Sequence, residues 1–332
     1  MRFTFLGTSA GVPTRQRNVT GLALSVDDHR DWYLVDCGEG TQHQLLRSRH
    51  SLARLRAVFI SHVHGDHCYG LPGLIASANM SGRKRALTIC APDGIEQMVE
   101  AVRQHTDLRQ LRYPLHFVRS DLQRQVYRDE WLSVSAHALS HRVPSFAYRF
   151  EEFPASTLDQ AALEALAVPR GPLWGKLQHG EAVTLVDGTV VRPEAVRLPA
   201  WKPRCVVVGG DNDRPELLLE ALAGANALIH EATFTEDILA QVGPQYMHST
   251  AAGVARTAQR AALPHLALTH FSQRYRQRPR ADQRNVEELR EEAARYFGGN
   301  IVLARDLDSY EIGRDGSLNS VAGAAKAAVA ER

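Results

Sequence analysis

The chain has 332 residues, 44% hydrophobic and 23% charged, with 39 Lys and Arg against 37 Asp and Glu for a formal net charge of +2. This balance excludes disordered and fibrous classes and suits a globular protein with a full core, while the charge is too mild to diagnose a nucleic-acid partner by itself. No apolar stretch approaches the roughly 20 residues that span a bilayer, and Met1-Arg-Phe-Thr-Phe-Leu6 lacks the apolar core of a secretion signal, so no membrane association and a cytoplasmic location are expected.

In chain order, Phe3–Leu6, Leu22–Val26 and Trp32–Val35 read as short strands punctuated by Gly, Asn and Asp, opening an antiparallel or mixed sheet. Thr41–Leu52 reads as a helix and Ala57–Ile60 as a buried strand. That strand feeds Ser61-His-Val-His-Gly-Asp-His67, where His62, His64, Asp66 and His67 fall within six positions. Four metal-capable side chains so close cannot share one face of a regular element, so a loop that points them at bound metal is expected. No packing demand asks for four ionisable groups there.

Leu71–Met80 continues as a helix with Pro72 in its first turn, followed by a strand at Leu87–Cys90, a helix at Gly94–Gln104 and an alternating strand at Leu132–Ala138 that ends near His141. Between residues 151 and 203, Pro and Gly interrupt the chain at close intervals, which predicts an arm with little core of its own. The strand-rich texture then resumes. Cys205-Val-Val-Val208 ends in Gly209-Gly210-Asp211, Ala227-Leu-Ile-His-Glu231 ends in a carboxylate, and Leu266-Ala-Leu-Thr-His270 ends in an imidazole. Residues 313–332 are small and Ala-rich, which predicts a flexible, frayed tail. Cys37, Cys68, Cys90 and Cys205 form no CxxC pair and read as small buried residues rather than a disulfide framework or thiolate site.

The strand ends suggest a single chemistry. A pair of divalent ions needs several neutral imidazoles and a carboxylate that can bridge both ions. His62, His64 and His141 are assigned to one ion, Asp66, His67 and His270 to the other, and Asp211 to the bridge. A water deprotonated by the two ions would complete the bridge, and hydrolysis is the implied reaction. Alone, His141 or His270 would more often be a polar-contact residue and Asp211 a turn aspartate; their repetition at strand ends is what singles them out.

The HxHxDH run with His141, Asp211 and His270 resembles the metallo-β-lactamase superfamily of binuclear hydrolases. Within it the chain is similar to the ribonuclease Z family, which matures the 3′ end of transfer RNA. The narrowing motifs are Gly65-Asp-His-Cys-Tyr-Gly-Leu-Pro-Gly73, Gly171-Pro-Leu-Trp-Gly-Lys-Leu177, His230-Glu-Ala-Thr-Phe234, His248-Ser-Thr250 and Thr269-His-Phe-Ser-Gln-Arg-Tyr275. The resemblance spans Gly7 to about Tyr310. It implies an α/β (α+β) αββα sandwich over residues 1–312, two mixed sheets flanked by helices, with 151–203 a protruding substrate-binding arm.

It further implies two Zn²⁺ per subunit, with Mn²⁺ or Co²⁺ possible, a precursor transfer-RNA substrate, and a homodimer in which one arm serves the other subunit's site. Asp66 would double as general base, and Glu231 with His248 would deliver the proton to the leaving 3′ oxygen. Gly171 and Pro172 would belong to the arm's clamp on the substrate, and Arg274 to the substrate contacts. Two competing readings are a small-molecule phosphodiesterase of the same fold and a silent RNA-binding relative.

Two departures stand out. Asn212 follows Asp211 where the family commonly has Thr, changing a hydrogen-bonding neighbour of the bridge. The arm is also not basic: over residues 151–204, six cations against seven carboxylates give 6 − 7 = −1, whereas a clamp that grips phosphates by charge should be positive. Positive charge instead gathers at Arg83-Lys84-Arg85, at Arg47, Arg49, Arg54 and Arg56, and at Arg274, Arg276, Arg278 and Arg280 just after His270.

Overall fold

The computed structural model describes residues 1–27, 29–106, 108–153, 158–178, 180–198 and 202–321. An eight-stranded sheet runs from edge to edge through Leu318–Val321, Ser309–Ile312, Arg2–Gly7, Gly21–Ser25, Trp32–Val35, Leu55–Phe59, Leu87–Ala91 and Leu115–Arg119. A seven-stranded sheet runs through Asn300–Leu303, His265–Thr269, Ala227–Glu231, Cys205–Val208, Ser145–Glu152, Leu132–Leu139 and Gln125–Arg128. Both are mixed. Trp32–Val35, Leu55–Phe59, Leu87–Ala91 and Leu115–Arg119 pair in parallel, as do Cys205–Val208, Ala227–Glu231, His265–Thr269 and Asn300–Leu303.

The parallel strands explain the unbroken apolar runs in the sequence. A parallel strand is covered on both faces, and every residue of Cys205–Val208 and His265–Thr269 is buried. Alternate side chains of the first sheet, Phe3, Phe5, Ala57 and Phe59, share one core with Val134, Tyr148, Phe150, Val206 and Val208 of the second. The Phe59 and Phe150 rings meet at 5.0 Å between centroids. The intervening residues Leu6, Leu34, Val58, Ile60 and Ile89 pack instead with Leu71, Leu74, Ile75, Ile95 and Val99 of the outer helices. The fold is therefore α+β, two mixed sheets with helices.

The chain divides into two compact units, Met1–Glu151 with Arg204–Arg332, and Glu152–Pro203. The smaller one holds the helices Gln160–Ala165 and Pro172–Gln178 and the strand pair Val183–Thr184 and Val190–Val191. Asp159 caps the first helix, accepting from the backbone N–H of Ala161 at 3.0 Å and Ala162 at 3.2 Å. The expectation of little core needs correcting: Leu163, Val168, Leu177, Val183, Val191 and Val196 are buried together. They are spread over five short stretches between Pro and Gly breaks, so sequence spacing could not show that they converge. Arg204 belongs to the larger unit, where it donates to the Ile312 carbonyl and to Asp27. Pro154 and Pro199, which help define the arm in the sequence, lie outside the described residues.

Three further expectations change. The helix from Thr41 stops at Leu46, because Ser48 and Ser51 side chains accept from nearby backbone N–H groups of His50 and Ala53, and only a single helical turn, Leu52–Arg54, follows. The segment expected as a loop is half helix: His64 is extended, and Gly65–Cys68 forms a helical turn carrying Asp66 and His67. The predicted frayed tail begins as a hairpin. Gly316, at φ 82°, turns the chain so that Leu318–Val321 pairs antiparallel with Ser309–Ile312. Backbone pairing makes this edge strand, so few apolar side chains announce it. Residues 322–332 of that tail lie outside the described residues.

Candidate metal centre

Five of the seven predicted metal residues sit just past a strand end, and Asp66 and His67 lie in the helical turn Gly65–Cys68. His62 and His64 follow Leu55–Phe59, His141 follows Leu132–Leu139, Asp211 follows Cys205–Val208 and His270 follows His265–Thr269. Parallel pairing aligns the strand ends that carry Asp211, Glu231 and His270, and His62 and His64 reach the same place from the other sheet. Donor atoms of His62, His64, His141 and Asp211 lie within 4.8 Å of one another, as do those of Asp66, His67 and His270.

Asp211 faces both groups with separate oxygens. Its Oδ2 lies 3.6 Å from His62 Nε2 and 3.8 Å from His141 Nε2, and its Oδ1 lies 3.4 Å from both His67 Nε2 and His270 Nε2. Asp66 Oδ2 is 3.5 Å from His67 Nε2 and 3.4 Å from His270 Nε2, and accepts the Gly11 N–H at 2.8 Å.

Four of the five rings are tied down on their far side, while His64 turns its Nδ1 toward His62 Nε2 at 3.1 Å and His141 Nε2 at 3.3 Å. The Nδ1 of His62 meets Ser61 Oγ at 2.9 Å, that of His67 meets Asp36 Oδ2 at 2.7 Å, that of His141 meets the Met247 carbonyl at 2.9 Å, and that of His270 meets Thr233 Oγ1 at 3.0 Å. Engaging Nδ1 in four rings leaves four Nε2 lone pairs converging on the same space, the pattern of imidazoles that bind a cation. Oxygen and imidazole donors at this density have no better use than a shared divalent ion. The residues fit the metal.

The electrostatics agree. Burial holds His62, His64 and His141 below the ordinary histidine value and keeps them neutral. Burial would raise Asp66 and Asp211, but the surrounding histidines, His67 and His270 foremost, keep both carboxylates ionised. His67 is pushed the other way, since Asp211, Asp36 and Asp66 overcome its burial and raise it. A proton and a cation compete for the same negative field there, so metal binding would release that proton.

Beside the metal residues, Glu231 and His248 form an ion pair, His248 Nδ1 lying 3.1 Å from Glu231 Oε1 and 3.7 Å from Asp211 Oδ2. Glu231 is buried and held by the Asn212 N–H at 2.9 Å and by the Thr233 hydroxyl. Burial alone would lower His248, but Glu231 and Asp211 raise it to about 9. His248 is not the cap of the following helix; Thr250 takes that role, accepting the Gly253 N–H at 3.1 Å.

Asn212 is fully buried, its amide reaching His230 Nε2 at 3.2 Å while its Oδ1 accepts from the N–H groups of Ser140 and Arg214 at 3.2 and 3.1 Å. The residue that departs from the family pattern is thus a fully engaged bracket behind Asp211. Arg274 is exposed four residues beyond His270, with Nη1 3.4 Å from Ser272 Oγ. Gly171, at φ 136°, and Pro172 start the second helix of the smaller unit.

Asp36 and Thr233 escaped the sequence reading. Asp36 did leave a signal: it directly follows the strand Trp32–Val35, as Asp211 and His270 follow theirs. Thr233 left none beyond its place in His230-Glu-Ala-Thr-Phe234.

A family model described as a β-lactamase superfamily domain matches residues 31–271. The chain is 48% identical over 322 residues to a ribonuclease Z of Marinobacter nauticus, covering 97% of this chain and 99% of that one. It is 46% identical over 322 residues to a ribonuclease Z of Pseudomonas putida, covering 97% and 100%. Among solved structures, the short form of human tRNase Z matches at a TM-score of 0.63 and 24% identity, covering 94% of this chain and 100% of that one, a likeness of fold.

Proposed function

We propose that this chain, which belongs to the ribonuclease Z family of the metallo-β-lactamase superfamily, is a metal-dependent endoribonuclease that removes the 3′ trailer from precursor transfer RNA and leaves a 3′ hydroxyl on the product. The observation that carries the catalytic reading is the double-sided placement of Asp211 between two donor groups, with the His248–Glu231 pair beside it.

His62, His64, His141 and Asp211 would hold one ion, and Asp66, His67, His270 and Asp211 the other, with zinc the first choice and manganese or cobalt accepted by the same donors. When bound, the ions supply Lewis acidity that polarises the phosphodiester and makes a nucleophile available at neutral pH. Asp66, fixed by the Gly11 N–H, orients the attacking water and takes its proton. The phosphorus–O3′ bond breaks as the new phosphorus–oxygen bond forms. His248, protonated at neutral pH and held by Glu231, donates its proton to the departing 3′ oxygen. The trailer leaves with a 5′ phosphate.

A homodimer, in which one arm with Gly171 and Pro172 serves the partner's site, belongs to the same proposal, as does a cytoplasmic location. Exposed Leu46 and Met80 support a self-association surface, because their two helices are joined by a hydrogen bond of 3.0 Å from Ser77 to Gln42. Among the described residues, no helix is long and apolar enough to cross a membrane. Incubation of the purified protein with a transfer-RNA precursor tests the function: one cut releasing an intact 5′-phosphorylated trailer supports it, and no cut in the presence of zinc or manganese sinks it.

A further inference from the structure

The buried Thr233 side chain touches both a metal residue and the proton-delivery pair. Its Oγ1 lies 3.0 Å from His270 Nδ1, 3.0 Å from the His270 carbonyl oxygen, and in hydrogen-bond contact with Glu231 Oε2. A hydroxyl carries one proton, so it donates either to the carboxylate or to the carbonyl. Glu231 is ion-paired with His248, and a charged acceptor holds a hydroxyl proton roughly twice as strongly as a neutral one. The proton therefore points at Glu231, and Thr233 Oγ1 is left to accept from His270 Nδ1–H.

This arrangement gives the hydrogen bonds one direction. His270 Nδ1 donates to Thr233, Thr233 donates to Glu231 Oε2, and Glu231 Oε1 accepts from His248 Nδ1 at 3.1 Å and from the Asn212 N–H at 2.9 Å. Both ends of the chain return to the bridging carboxylate. His270 Nε2 lies 3.4 Å from Asp211 Oδ1, and His248 Nδ1 lies 3.7 Å from Asp211 Oδ2.

The backbone holds the path in place. Glu231 pairs with Thr269 in the parallel register, and the Ala232 N–H continues the pairing to the Thr269 carbonyl at 2.9 Å, which brings Thr233 beside His270. His270 has φ 56°, a left-handed backbone that residues other than glycine rarely adopt. Such a residue persists where its surroundings hold it, and Thr233 contacts both its ring and its carbonyl. Thr233 and His270 are each 2% exposed and Glu231 is 1% exposed, so bulk water does not stand in for a missing hydroxyl.

We infer that Thr233 is a positioning residue that ties the His270 side of the metal centre to the proton donor His248, so that holding metal and delivering the proton depend on one hydroxyl. The inference rests on the ribonuclease reading above. With His270 Nδ1–H bound to Thr233, its Nε2 lone pair is presented to the metal. With His248 Nδ1 bound to Glu231, its Nε2 is left to give a proton to the leaving oxygen. Hydrogen bonds in a chain polarise one another, so loss of the middle hydroxyl weakens both ends.

Thr233→Val keeps the shape and removes the hydroxyl, whereas Thr233→Ser keeps the hydroxyl. In Thr233→Val, zinc affinity read by chelator competition falls about tenfold or more. At saturating zinc, its kcat on precursor RNA falls about tenfold further than its kcat on bis(p-nitrophenyl) phosphate, whose leaving group needs no proton. Thr233→Ser restores both. Loss of either property without the other, loss of neither, or equal losses in the two variants overturns the inference. A Thr233→Val chain that fails to fold is replaced by Thr233→Ala, judged by the same outcomes. Should wild type cut no precursor, the ribonuclease reading fails, and NMR of the zinc-loaded protein decides. Nδ1–H resonances of His270 and His248 that both shift in Thr233→Val uphold the link, and a shift confined to one ring, or to neither, overturns it.

Discussion

Asp36 and His67, 31 positions apart in sequence, meet at 2.7 Å between Oδ2 and Nδ1. Asp36 also accepts the Ser61 N–H at 2.7 Å and its hydroxyl at 2.9 Å, so one buried carboxylate fixes both the metal-facing tautomer of His67 and the start of the His62–His67 segment. Asp36→Asn keeps the shape and loses the charge. Its metal affinity, read by competition with a coloured chelator, is expected to fall about 10–100-fold. Unchanged affinity would remove Asp36 from the account.

The His248–Glu231 pair should matter in proportion to how badly the leaving group needs a proton. His248→Ala is expected to lower kcat on precursor RNA by about 10²–10⁴-fold. Hydrolysis of bis(p-nitrophenyl) phosphate, whose leaving group departs as a stable anion, should change far less. Equal losses on both substrates would show that His248 acts on the site's structure rather than on the leaving oxygen.

The same pair sets a pH limit. Burial lowers His248 and the carboxylates of Glu231 and Asp211 outweigh it, raising the imidazolium to about 9. A general acid must be protonated, so RNA cleavage is retained below that value and lost as pH rises through it. Cations sharing the Asp211 charge would bring the limb lower. Glu231→Gln should move the alkaline limb of the kcat profile down; a limb that stays in place would assign it to another group.

Gly210 lies where backbone segments press together. A Cβ there would stand 2.6 Å from Ser61 Cβ, 2.8 Å from Ser145 Oγ and 2.9 Å from the Phe146 carbonyl oxygen. The carbonyl cannot swing aside, so Gly210→Ala should destabilise the fold by about 1–3 kcal/mol and displace Asp211 next to it. Thermal unfolding and metal content, measured on one preparation, should both fall. Full metal content at an unchanged Tm would contradict the close approach.

His50 makes stability acid-sensitive. Its ring packs 4.9 Å from that of Trp32, and burial, with Arg49 and Arg2 adding, pushes it down to about 4 from the ordinary 6.5. The unfolded chain therefore binds this proton first, and up to about 3 kcal/mol of stability present above pH 6.5 is lost as pH falls toward 4. Asp306, raised to about 6 by burial, acts oppositely, its contribution being lost as pH rises through that value. His50→Gln isolates the histidine: urea unfolding at several pH values should show less acid loss than in wild type.

The metal residues were legible because strand ends repeat a pattern, an apolar run and then His or Asp, with parallel pairing bringing the Asp211 and His270 ends together. Asp36 obeys the same pattern after Trp32–Val35 and could have been read from it. Thr233 could not, since its role depends on the Glu231 and His270 side chains meeting across two neighbouring strands. Alternation and buried runs marked the individual strands, and the family resemblance supplied their arrangement in two mixed sheets. The core of the smaller unit and the edge strand Leu318–Val321 were not legible, because the first gathers single residues from many short pieces and the second is made by backbone pairing.

The most direct test of a metal centre bridged by Asp211 joins metal analysis to RNA cleavage for wild type and Asp211→Ala. Wild type should carry about two divalent ions per chain and release the precursor's trailer, and the variant should lose ions and cleavage together. Precursor cleavage by the variant at the wild-type rate, or by protein stripped of metal, would contradict it.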